Sequence, residues 1–231
     1  MVRLIWFAVI LVIACVATAL CTGVEDGETE TLNEGRISLP QPDLTGTATL
    51  EEALRERRSV RSYTDDPLKP TELSILLWSM QGITDPRGFR TAPSAGALYP
   101  LEVTVAVGKV DGIAPGAYRY HPDTHDLEMI HDRDIRSDLA AASLGQQMPA
   151  EAPVTFVISG IYERTRGRYG DRAERYTWME AGHVSQNCYL VAASHGLGTV
   201  AIGAFDEAAV QELMGLPGDE IPLYLMPVGR I

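Results

Sequence analysis

Positive charge is scarce in this chain: 19 Lys and Arg stand against 31 Asp and Glu, for a formal net charge of −12, and only Lys69 and Lys109 are lysines. Such a balance excludes nucleic acid and anionic membrane surfaces as natural partners, because both need a basic footprint. Cysteine is nearly absent as well. Cys15 and Cys21 fall in or just after an N-terminal apolar run, which leaves Cys188 alone in the rest of the chain and rules out an intrachain disulfide there. Cys188 reads as a small buried residue on an apolar helix face. The five histidines, His121, His125, His131, His183 and His195, show no chelating spacing, so no metal is expected. There is no internal repeat and no evident nucleophile–base pair.

Only one long apolar run is present, Leu4 to Leu20, preceded by Arg3 and followed by Glu25, Asp26, Glu28 and Glu30. The pattern reads as a signal or anchor segment over 1–21, with the rest of the chain on the non-cytoplasmic side and either Cys15 or Cys21 available for lipidation. Membrane contact is expected through this segment alone. Residues 22–48, rich in Gly, Thr, Glu and Pro, read as a flexible tether. The remaining 49–231 suffice for one core.

Within that domain, Thr49-Leu50-Glu51-Glu52 is a capping box that starts a helix running to about Arg58. Pro70 opens a second helix with Leu73, Leu76, Leu77 and Met80 on one face. A loop over 86–101 leads to a strand at 102–107, a hairpin at 116–120 and 127–130, a short helix at 135–144 and a buried strand at 153–159. The longest helix spans about 172–195 and is closed by Gly196. Its second half is apolar around much of its circumference, which predicts burial on more than one side. A strand at 199–202, a helix capped by Asp206 and a strand at 221–228 follow. Strands separated by helices around a central hairpin indicate an α+β layered fold.

Three segments draw attention as a possible site. Arg57, Arg58, Ser59 and Arg61 place three guanidinium forks and a hydroxyl at a helix end, a composition suited to a phosphate-bearing ligand or simply to a solvated helix terminus. Ser94, Ala95 and Gly96 form a small-residue loop before Tyr99-Pro100, open to a flat ligand or an ordinary connection. Ile202-Gly203 ends a strand just before a helix, where backbone N–H groups are fixed donors.

Taken in order, Arg57-Arg58-Ser59-Val60-Arg61, Pro93 to Pro100, Glu180 with Gln186-Asn187, Ile202-Gly203 and Pro227-Val228-Gly229-Arg230 resemble the nitroreductase superfamily of FMN enzymes, most closely the SagB-type dehydrogenases. The resemblance implies a central, mostly antiparallel sheet flanked by helices, in a homodimer. It implies that Arg57 and Arg230 hold the FMN phosphate, that Arg58 and Ser59 bind phosphate or ribityl oxygens, and that Arg61 lies by the pyrimidine edge, where its charge stabilises reduced flavin. Ser94, Ala95 and Gly96 would meet the ring from the partner subunit, and Ile202-Gly203 would offer the Gly203 N–H to the flavin N5. Gln186 and Asn187 would sit on the dimer-forming helix. The implied reaction moves a hydride between a donor such as NAD(P)H and a small acceptor: a nitro compound, quinone or heterocycle. An azoline dehydrogenase acting on a modified peptide is the alternative, and a non-catalytic flavin-binding protein is the reading from another class. The short stretch after Arg230 implies a dimer without a long C-terminal arm, and placement outside the cytoplasm would call for a donor other than NAD(P)H.

Overall fold

A computed structural model describes residues 30–32, 35–46 and 48–231 of the chain. Eight strands form a single sheet: Glu30–Leu32 (β1), Arg36–Ser38 (β2), Leu101–Val107 (β3), Gly116–His121 (β4), Asp126–His131 (β5), Val154–Gly160 (β6), Leu197–Thr199 (β7) and Ile221–Arg230 (β8). Their order is β1-β2-β5-β4-β3-β6-β8-β7, and every neighbouring pair is antiparallel. The helices are Leu50–Glu56 (α1), Pro70–Gln81 (α2), Arg136–Ala142 (α3), Met148–Glu151 (α4), Glu163–Tyr169 (α5), Ala173–Ser194 (α6) and Glu207–Leu213 (α7). This is the expected α+β layering.

The two-residue period of the central strands sorts their side chains onto two faces. On one face Val103, Val105 and Val107 of β3, Phe156 and Ile158 of β6 and Met226 and Val228 of β8 pack with Leu73, Leu76, Leu77 and Met80 of α2 and with Ala181, Val184, Cys188 and Ala192 of α6. The intervening residues Ala106, Val157 and Leu225 face the other way, onto Ile135 and Leu139 of α3 and Val210 and Met214 of α7. Cys188 is fully buried, as read from its helix face.

Local signals set several element ends. Thr49 accepts from the Glu52 N–H while the Glu52 carboxylate accepts from the Thr49 N–H, so the capping box forms as expected. Asp206 caps α7 by accepting the Ala209 N–H, and Gly196 follows α6 with φ at +67°.

Other expectations need correction. The stretch read as a tether contains β2, which pairs with β5 and buries Ile37, with Leu39 buried just beyond it, so the folded unit extends at least to Arg36. The strand expected at 199–202 is shifted. β7 ends at Thr199 because the Ala201 N–H is taken by the Tyr189 hydroxyl at 2.8 Å, and Ile202 returns for a single bridge to Leu225. The last strand continues past Val228 because β7 pairs Leu197 with Arg230 and Gly198 with Gly229. α5 was not foreseen: it carries glycine at 167, ends at Gly170 and buries only Thr165, so its apolar signal is weak. The second half of α6 buries Cys188 and Ala192 and half-buries Tyr189, Leu190, Val191 and Ala193, while in its first half Trp178 and Met179 are more than half exposed.

The extracytoplasmic placement is withdrawn. Among the described residues no helix is long and apolar enough to cross a membrane. The segment on which that placement rested, 1–21, lies outside the described residues, as does most of 22–34.

Candidate functional site

The two arginine-bearing segments meet at the β7 edge of the sheet. After α1 the chain turns at Arg57 and runs beside β7, where the Val60 N–H donates to Thr199 O at 2.9 Å and Ser59 bridges Thr199 in parallel. It then crosses the end of β8, where the Thr64 N–H donates to Arg230 O at 3.0 Å and the Tyr63 hydroxyl donates to Val60 O and Pro227 O. Burial of the Tyr63 ring pushes its phenol well above the ordinary tyrosine range, so the group stays a neutral donor. The crossing depends on a cross-strand glycine pair. A Cβ at Gly198 would lie 2.7 Å from the Val60 Cβ, and one at Gly229 would lie 2.9 Å from the Tyr63 Cβ and 2.8 Å from the Pro153 Cδ.

Tyr189 of α6 gathers this corner, and sequence reading passed it over. Its hydroxyl accepts from the Ala201 N–H, pairs with the Ser59 hydroxyl at 3.1 Å, and its ring lies 5.3 Å under the Arg57 guanidinium. A tyrosine on an otherwise apolar stretch of helix next to Cys188 was the available signal. Arg57 and Arg61 have no carboxylate partner among the described residues, whereas Arg58 turns back to donate to Arg55 O and Arg57 O. Arg230 is not free in the same way. Its Nη2 donates to both Glu72 oxygens at 2.9 Å, and the same carboxylate accepts the Lys69 N–H at the start of α2. The two segments are therefore joined through backbone, while their guanidinium groups are differently engaged.

Gly203 lies further along the same connection. It is exposed, a Cβ there would reach only ordinary contact with the Tyr224 ring at 3.5 Å, and its N–H meets no acceptor among the described residues. Nothing inside the chain demands glycine at this position. It opens into a cleft of about 600 Å³ with Trp178, Ala181, Phe205, Leu223 and Tyr224 on its apolar side and Tyr162, Glu174 and Glu207 among its polar lining. An apolar, aromatic wall beside an open backbone donor suits a flat ring with a polar edge.

Ser94, Ala95 and Gly96 form a different corner. They enter a single 3₁₀ turn, Ala95–Ala97, in which the Ser94 hydroxyl accepts the Tyr99 N–H and Gly96 has φ at +65°. The positive φ favours glycine here, while an added Cβ would meet only the movable ends of Tyr169, its hydroxyl at 2.8 Å, and Arg168, its Nη1 at 2.9 Å. Glu180 of α6 faces this loop. Two positions along a helix turn a side chain by about 200°. Glu180 therefore points away from Trp178, and one chain does not bring the Ser94 loop to Gly203. Of the remaining residues, Asn187 ties α6 to α2 by donating to Ser79 O at 2.9 Å, and Gln186 is exposed.

Glu180 is only 2 % exposed, and neither carboxylate oxygen makes a hydrogen bond. Burial pushes its carboxyl up to about 7, against the pull of the Ser94 hydroxyl, the Arg90 charge and the Ala95 N–H. The folded form thus binds more protons than the unfolded form between about 4.5 and about 7. Its stabilising contribution is complete below that window and is lost as pH rises through it. Glu180→Gln should flatten this decline when urea midpoints are compared on the two sides of the window. A second expectation concerns the glycine pair: Gly229→Ala should cost about 1–3 kcal/mol by overpacking against Tyr63 and Pro153. Urea denaturation checks it, and an unchanged midpoint would mean that the crossing adjusts freely.

Comparison with known proteins agrees with this geometry. The Nitroreductase family matches over residues 54–230. MJ1384 of Methanocaldococcus jannaschii, which carries the nitroreductase name, is 50 % identical over 181 residues, covering 78 % of this chain and 90 % of its own. A solved structure from Ralstonia eutropha JMP134 that carries the same name superposes with a TM-score of 0.74 at 32 % identity, covering 88 % of this chain and 93 % of its own. The NADPH-flavin oxidoreductase of Vibrio harveyi is 33 % identical over 110 residues, 44 % of this chain and 45 % of its own. With the fold, the ordered motifs and these likenesses in accord, the chain belongs to the nitroreductase family and is an oxidoreductase of that flavin-dependent group.

Proposed function

We propose that the chain is an FMN-dependent oxidoreductase acting on a small organic molecule, with the flavin ring in the cleft beside Gly203 and its phosphate toward Arg57. The observation that carries this reading is the pair of groups along one side of α6, the Arg57 charge over the Tyr189 ring and the open Gly203 N–H beside Trp178, with the Arg61 charge acting on Tyr63 nearby in sequence. Tyr189 and Trp178 lie eleven residues apart on this helix, about 16 Å along its axis.

A bound flavin would supply hydride exchange at its N5. The chain's part is binding, orientation and charge. Arg57 is a fork for phosphate held in place by the Tyr189 ring, with Arg58 and Ser59 beside it. Arg61, exposed and without a carboxylate partner, is the cation assigned to the pyrimidine edge, where it would favour the reduced, anionic ring. Arg230 takes a lesser place than first expected, because its Nη2 and Nε are already used by Glu72 and the Pro67 carbonyl. Only Nη1 stands outside both contacts. The Gly203 N–H would face the ring nitrogen, and Ile202, whose N–H and carbonyl are both taken by Leu225, would fix the backbone just before it.

A homodimer belongs to the same proposal. The exposed Trp178 and Met179 on α6 are apolar surface next to the cleft, and the Ser94–Gly96 loop would serve the cleft of a second copy. NADPH figures in the name of the Vibrio relative and is proposed here as the donor, with a nitro compound, quinone or heterocycle as acceptor.

Purified full chain should be yellow or should become so with added FMN, and anaerobic mixing with NADPH or NADH should bleach the flavin band. A protein that neither carries nor binds FMN contradicts the proposal. Binding without bleaching by either nucleotide would instead favour the modified-peptide dehydrogenase or a non-catalytic flavin-binding role.

A further inference from the structure

A buried carboxylate without a hydrogen bond is costly, and an oxidoreductase core has no need of one for packing. Glu180 occupies such a position on α6, among the buried neighbours Thr177, Ala181 and Val184. What faces it is a functional element: the Ser94 hydroxyl and the Ala95 N–H at the head of the 3₁₀ turn, with Arg90 as the charge acting from the preceding loop. Arg90 is itself placed by Gln81, which accepts from its Nη1 at 2.6 Å, and by the Tyr99 ring 4.7 Å below its guanidinium. α5 adds Arg168 and Tyr169 at Gly96, next along the loop, where the Arg168 Nη1 reaches toward the Gly96 carbonyl at 3.5 Å. On its own helix Tyr176 stands one turn before Glu180, its ring held edge-on to Tyr169 at 5.0 Å.

The donors and the acceptor are thus in place but unjoined. The loop is held on its other sides: Ser94 accepts the Tyr99 N–H, and Arg164 donates to the Tyr99 carbonyl. Only its approach to α6 is left without a fixed bond.

We propose that Glu180 is a positioning residue for the Ser94–Gly96 segment, its ionised carboxylate drawing the Ser94 hydroxyl and the Ala95 N–H toward α6 and its protonated form releasing them. An ionised carboxylate only accepts, so both donors are satisfied by it. A protonated one has lost most of its pull on them and must itself donate. The loop then has two settings, selected by one proton, within the range where burial has moved this group. The coupling is a property of the chain alone. Its consequence, that the loop's fit to a flavin ring changes with pH, rests on the flavin reading proposed above.

The coupling can be read without flavin. Amide ¹H–¹⁵N shifts of Ala95 and Gly96 in the full chain, followed from about pH 5 to about pH 9, should titrate with one midpoint near 7. Glu180→Gln should abolish that titration. Ser94→Ala, which removes a donor that favours the ionised form, should move the midpoint upward and serves if the glutamine variant does not fold. Absence of a titration in the wild type, or its survival in Glu180→Gln, would overturn the proposal. FMN affinity measured by flavin fluorescence over the same range should change several-fold in the wild type and stay level in Glu180→Gln. If FMN binds at no pH while the amide titration persists and depends on Glu180, the flavin reading falls and the positioning role stands.

Discussion

The site rests on a close backbone approach. Gly198 of β7 and Gly229 of β8 face each other across the ladder, and their missing side chains let Val60 and Tyr63 lie directly on the strand ends. Two backbone hydrogen bonds, Val60 to Thr199 and Thr64 to Arg230, then fix the segment that follows Arg57. Without that approach the first arginine segment would have no register against the last strand. The same crossing buries the Tyr63 ring, whose hydroxyl ties the segment to Pro227 and whose burial keeps it protonated.

Helix α6 distributes the chemistry around this anchor. One end supplies Tyr189, which arrests the β7 ladder at Ala201 and steadies Arg57. The other supplies Trp178 to the Gly203 cleft and, on a different face, Glu180 to the Ser94 loop. Of the groups assigned to the ligand, Arg57 and Arg61 have no carboxylate partner among the described residues, whereas Arg230 meets Glu72, as elsewhere Arg119 meets Glu220 in a bidentate pair. In a chain of net charge −12, unpaired arginines mark a destination for an anion more sharply than they would in a basic protein.

Much of this was legible in the sequence, for reasons that differ by element. α2, α6 and the β3 and β6 strands announce themselves by period and length, and Thr49 and Asp206 by their capping chemistry. The ordered motifs pointed to the family, because short spacings around arginine and glycine survive in linear form. What the sequence could not show were contacts made between distant segments. The claim of Glu72 on Arg230, the gathering role of Tyr189 and the Gly198–Gly229 pair all join residues far apart in the chain. β2 was hidden for a related reason: a three-residue strand carries too little pattern to stand out from a polar stretch, and is held by its pairing with β5.

The central claim is that the phosphate end of a flavin lies at Arg57. Its most direct test compares FMN with riboflavin, which lacks the phosphate, in the wild type and in Arg57→Ala. A charge-assisted contact contributes about 1.5–3 kcal/mol, roughly a 10- to 150-fold preference for FMN. That preference should be present in the wild type and largely gone in the variant, with riboflavin affinity little changed. An FMN-to-riboflavin ratio that is the same in both proteins would contradict the account.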